Sequence, residues 1–135
     1  MQSQKALQWI LITGAIFAMG AVIIGAFGAH GLKQVLDSYA LGLIDTAAKY
    51  QMYHAIALLV VGVMSAIPDF STLWLKRSAS AFTLGIILFS GSLYLLAFTH
   101  VKWLGAITPI GGSAFISGWL MLIMSIRKGD VSTER

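Results

Sequence analysis

The sequence predicts an all-α protein: a four-helix transmembrane bundle with both termini cytoplasmic and an amphipathic helical segment on the outer face. Three observations carry that prediction. Of 135 residues, 58% are hydrophobic and only 10% charged, against roughly 25% charged in an ordinary soluble domain. The apolar residues fall into four uncharged runs, each reaching the roughly 18 to 20 residues a helix needs to cross about 30 Å of hydrocarbon. None of these runs alternates polar with apolar residues, as the strands of a membrane barrel do. The same composition excludes a disordered chain. The absence of cysteine excludes disulfides, thiolate metal sites and thiol nucleophiles. Residues 1–135 read as one integral membrane domain.

The first span covers residues 9–29. Lys5 followed by an apolar run has the look of a signal peptide, and the small residues at 25–29 imitate a cleavage site. The run exceeds the 7 to 15 residues of a signal core, so we read it as an uncleaved span. Residues 30–49 form the one substantial loop. In it Leu32, Val35, Leu36, Tyr39 and Leu43 recur at helical spacing. Asp37 or Ser38 is placed to cap a helix running through Gly42 into the second span, with Asp45 and Lys49 as an i, i+4 pair. We expect this segment to lie on the outer interface; a gate or a partner-docking arm is the alternative. The second span covers 50–67, stopping before Pro68, and the third covers 78–99. The turn to the fourth span, 103–126, is so short that spans three and four must be antiparallel neighbours. Residues 129–135 read as a short disordered tail.

Basic residues orient the bundle. The side carrying both termini holds Lys5, Lys76, Arg77, Arg127, Lys128 and Arg135, and the other side holds Lys33, Lys49 and Lys102. The richer side is cytoplasmic. Trp9 and Trp74 then fall at the inner interface, and Tyr50, Tyr53 and Trp103 at the outer. The net charge of +4 is thus a matter of topology, and nucleic acid is not an expected partner.

Four stretches share a pattern: GAFGAHGLK at 25–33, YQMYHAIALL at 50–59, FSGSLYLLAFT at 89–99 and LGAITPIGGSAFISGW at 104–119. Together they resemble the uncharacterised bacterial membrane proteins of the YgdD and YwdK type, a family of unknown function with small eukaryotic transmembrane relatives. The resemblance covers nearly the whole chain. It implies a multi-pass protein of the bacterial plasma (inner) membrane and carries no activity or catalytic residues. The resemblance implies that the family usually has glycine where this chain has His100, so any role given to His100 would be private to this protein.

Inside the spans there is no aspartate, glutamate, lysine or arginine, the groups on which proton pumps and most ion-coupled carriers depend. No serine stands in a nucleophile motif, and no cofactor or metal is expected. Placed by topology, His30, Tyr50, Gln51, His54, Pro109, Gly111 and Gly112 form a candidate outer-leaflet cluster. Pro109 with Gly111 and Gly112 predicts a kink in the fourth span, and His54 is expected to meet His30 or a carbonyl that Pro109 frees. Ala21, Gly25, Gly28 and Ala29, with Gly85, Ala114 and Gly118, are candidate helix-packing positions, because small residues let backbones approach closely in lipid.

Three classes of function compete. The leading one is a non-enzymatic protein acting by helix association, as a homo-oligomer or a subunit of a larger membrane complex, with membrane lipids around it. The second is a passive pore or a lipid or small-solute transporter using a broken fourth helix. The third is a redox accessory holding metal, haem or quinone through His30 and His54.

Overall fold

A computed structural model describes residues 2–126, and every regular element among them is helical. Helix α1 is Gln2–His30, followed by a 3-10 turn at Leu32–Gln34 and helix α2, Ser38–Met64. Helix α3, Thr72–Gly85, continues through a π turn, Ile86–Ser90, into α4, Gly91–Thr99. A 3-10 segment, Lys102–Ala106, leads into α5, Thr108–Ile126. Taken as spans, these give four helices long and apolar enough to cross a membrane, the third being α3 and α4 together. The expected tail at 129–135 lies outside the described residues.

Helix α2 starts where its cap residue starts it. Asp37 is extended (φ −70°, ψ 170°) and its carboxylate accepts from the Ala40 amide at 2.7 Å, satisfying a helix-start donor that has no intrahelical partner. The segment after it is helical as its spacing requires, but it does not lie flat as a separate interfacial helix. It forms the first three turns of α2. Ala40 and Ile44 are buried with Ala97 of α4, and Ile24 of α1 and Tyr94 of α4 pack against them. That apolar contact holds α2 upright between its neighbours, with the Asp45–Lys49 pair (2.7 Å) exposed on the other face.

Helices α2 and α3–α4 are central and α1 and α5 flank them. The most extensive interfaces are α1 with α2 and α3 with α5. Between α3 and α5 the packing is reciprocal. A Cβ at Gly118 would stand 2.6 Å from the Phe82 ring, and one at Gly85 would overlap the Phe115 ring. Each glycine is the hole for the other helix's phenylalanine. Ile10, Leu58, Val61, Leu75, Ala79, Phe82 and Phe115 form the core around this contact.

The fourth span corrects one expectation. Pro109 is the second residue of α5, so the helix begins there and is regular through Ile126. A first-turn proline has no hydrogen bond to lose and its fixed φ suits the start of a helix. There is no mid-span kink and no carbonyl freed by one. The irregularity lies instead in the third span, where the Gly91 amide reaches back to the Ile86 carbonyl, a wide turn holding one extra residue. A Cβ at Gly111 would overlap the Phe89 backbone in this turn. Gly111 therefore serves close backbone approach, not loosening.

Candidate functional site: a polar cluster at mid-height

Because α2 begins at Ser38, Gln51 and His54 lie about 20 and 24 Å along a helix of about 40 Å. Gln51 faces Phe17, midway along the first span of Leu7–His30. His54 faces Phe115, midway along the fourth span of Lys102–Ile126. Both side chains are only 5% exposed. The cluster is central, and the apparent outer position came from taking Tyr50 as the first residue of the span.

Gln51 ties three helices. Its Nε2 donates to the Phe17 carbonyl of α1 at 2.8 Å, and its Oε1 accepts from the Tyr94 hydroxyl of α4 at 2.7 Å. Gly20 leaves room for it, since a Cβ there would stand 3.1 Å from Nε2. One turn away, the Ser90 hydroxyl donates to the Ala47 carbonyl at 2.8 Å, pinning the π turn to α2.

His54 does the same on the other face of α2. Its Nε2 is 3.1 Å from the Trp119 indole nitrogen and its Nδ1 is 2.8 Å from the Tyr50 carbonyl. An indole N–H can only donate and a carbonyl can only accept. Nε2 is therefore the acceptor and Nδ1 carries the proton, which assigns a neutral ring from geometry. The ring stacks on Phe115 at 3.5 Å, inclined by 9°, with Phe82 5.5 Å away. His54 thus joins α2, α3 and α5, and its partner is Trp119 rather than His30 or a carbonyl near Pro109.

Beside this stack lies an open cleft of about 440 Å³, lined by Tyr50, His54, Phe89, Pro109, Gly112, Ser113, Phe115, Ile116 and Trp119. Four of the outer-leaflet candidates, Tyr50, His54, Pro109 and Gly112, meet here. Gly111 sits behind them against Phe89, and Gln51 faces the opposite side of α2. His30 is exposed at the end of α1, about 20 Å along that helix from Phe17.

The packing candidates divide in the same way. Ala21 is buried, Gly28 approaches the Ile44 side chain, Gly85 and Gly118 are filled as described, and Ala114 is half-buried. Ala29 is exposed, and a Cβ at Gly25 would meet nothing within 4 Å. Sequence reasoning missed Trp119 and Tyr94 as partners. The available signal was their place inside apolar runs, away from either interface, where a buried N–H or O–H needs an acceptor.

Residues 24–112 match the family described as "Protein of unknown function (DUF423)". The chain belongs to this family. The DUF423 match runs from the end of α1 through the first turns of α5 and so includes Gln51, His54, Tyr94 and the π turn, while Phe17 and Trp119 fall outside it. A UPF0382 membrane protein of Staphylococcus aureus is 49% identical over 118 residues, covering 87% of this chain and 94% of its own length. Relatives with the same description from Staphylococcus haemolyticus and Staphylococcus saprophyticus are each 47% identical over 118 residues, covering 87% of this chain and 94% and 96% of their own. No solved structure matches the chain. The protein is a membrane protein of a family of unknown function, and these relatives carry no activity in their descriptions.

Proposed function

We propose that the chain is a non-enzymatic membrane protein acting by helix association, as a homo-oligomer or an accessory subunit of a larger complex in the bacterial inner membrane. The observation that carries this reading is the closure of the polar cluster. Gln51, His54, Ser78 and Ser90 direct their hydrogen bonds into the bundle. Among the described residues no buried side-chain nitrogen or oxygen lacks a partner. The buried polar groups are thus engaged with the bundle itself rather than held free for a substrate. What this bundle leaves open is apolar helix surface.

Helices α1 and α5 offer most of it, each with 17% of its most apolar stretch buried, against 50% for the second span and 44% for the third. Gly25 is half-buried beside a groove that α1 shares with Leu41 and Ile44 of α2, and a Cβ there would meet nothing within 4 Å. A bare glycine weakens a helix by roughly 0.5–1 kcal/mol relative to alanine, and it gains close backbone approach when another helix seats there. The competing readings lose their geometry: α5 is unbroken beyond its first turn, and His30 and His54 are far apart. The count of basic residues supports cytoplasmic termini, and the four shared stretches support placement with the YgdD and YwdK type.

The cysteine-free sequence makes the test direct. Gly25→Cys is expected to cross-link in native membranes, either to a second copy or to a partner subunit. Gly25→Leu is expected to melt like the parent, since its side chain enters open space, yet to lose the association. A monomer that co-purifies with no protein in mild detergent and gives no cross-link at position 25 would sink the proposal.

A further inference from the structure

A groove of about 650 Å³ lies between α3 and α5, at the end of the bundle that carries the termini. Lys76 and Arg77 stand at its mouth, and Leu73, Ala81, Leu84 and Met121 line its length. Leu84 is seven residues beyond Arg77, about 10 Å deeper along the helix, and is 51% exposed. Charge thus sits toward the terminal end of the groove, and hydrocarbon continues deeper along it at Ala81 and Leu84. The Arg77 guanidinium lies 4.9 Å from the Trp74 ring centroid, a cation–π contact that fixes the group by its face and leaves its in-plane donors free. Among the described residues neither Lys76 nor Arg77 pairs with a carboxylate, and the one ion pair, Asp45–Lys49, is at the opposite end.

We propose that this groove is a binding site for an anionic phospholipid, with the headgroup phosphate on Lys76 and Arg77 and one acyl chain laid along Ala81 and Leu84. Two adjacent cations that pair with no carboxylate among the described residues complement a phosphate, to which guanidinium and ammonium groups form strong charge-assisted hydrogen bonds. The exposed apolar floor continues from them to a depth where only lipid tails are available to cover it. Basic pockets between transmembrane helices take anionic headgroups in this way. The site is on the opposite side of the bundle's length from Gly25 and does not depend on the association reading.

The test uses the full-length protein in micelles, mixed with phosphatidylglycerol or with phosphatidylcholine of matched chains, with retained lipid counted by native mass spectrometry. The parent is expected to retain phosphatidylglycerol preferentially. Lys76→Gln and Arg77→Gln are expected to weaken that preference roughly fivefold for each charge removed, whereas Lys33→Gln with Lys49→Gln leaves it intact. Ala81→Phe, which narrows the groove and keeps both charges, is expected to lower phosphatidylglycerol retention. Equal retention of the two lipids by the parent overturns the proposal without any variant. A preference that survives loss of both cations overturns the headgroup site, and full retention by Ala81→Phe overturns the acyl seat.

Discussion

His100 ends α4 in the left-handed region, at φ 56° and ψ 20°, with its amide bonded to the Leu96 carbonyl at 2.9 Å. Helices commonly end on glycine in this conformation, because a Cβ there crowds the following carbonyl. His100 is the one non-glycine residue in this region among the described residues, and it carries the strain. His100→Gly is expected to stabilise the protein by about 1 kcal/mol, read as a higher melting temperature in detergent. The His54–Trp119 pair makes a second claim at this scale. His54→Phe keeps a ring against Phe115 but leaves the Trp119 N–H unpaired, a loss of about 1–3 kcal/mol. Trp119→Phe orphans Nε2 instead, so the double variant is expected to cost less than the two single losses added. Strict additivity in that thermal-melt cycle would show the bond to be energetically idle. His54 was legible in the sequence as a buried polar group in need of a partner. The partner was not legible, because Trp119 lies 65 residues on and only the rotation of α5 brings it round.

At the scale of elements, the uncharged runs revealed the spans but not the ends of the helices. A charge count starts the second span at Tyr50, after Lys49, whereas the helix starts at the Asp37 cap and carries Asp45 and Lys49 on one exposed side. Polarity along the chain marks the membrane, while capping and packing mark the helix. The same limit applies to Pro109, whose effect depends on whether it falls in a first turn or an interior one. The π turn left no sequence mark, since Ile86–Ser90 reads as ordinary apolar helix; it is specified from outside by Gly111 and by the Ser90–Ala47 bond. Its extra residue makes a sharp prediction. Deleting Ile87, which faces outward, is expected to restore α-helical register with Tyr94 still opposite Gln51, and to yield monodisperse protein. Deleting Val60, exposed in regular α2, turns the helix by about 100° beyond it and is expected to abolish folding. Similar yield and dispersity for the two deletions would contradict the role given to the π turn.

For the molecule as a whole, hydrophobicity and run length were enough for an all-helical, four-span architecture, because the bilayer forces backbone groups to pair within each segment. The order of neighbours was only partly readable. Short connections pair adjacent spans, but nothing in the sequence shows that α1 and α5 are the flanking helices. Orientation rests on the distribution of lysine and arginine. Single cysteines at Ser3, Ser38 and Ser132 are expected to react with an impermeant maleimide in intact cells at position 38 alone; reaction at 3 or 132 would invert the topology.

The placement of His54 has a consequence for biogenesis. Gln51 finds the Phe17 carbonyl within the first helical hairpin, which is complete once α2 has been synthesised. The indole that donates to His54 belongs to the last span to emerge. Until then Nδ1 is sheltered by the Tyr50 carbonyl of its own helix, while Nε2 is bare. The newly inserted first hairpin therefore presents one unsatisfied nitrogen in mid-membrane, and arrival of α5 quenches it. A chain truncated before Trp119 is expected to leave that nitrogen exposed and to be recognised by membrane quality control as unfinished.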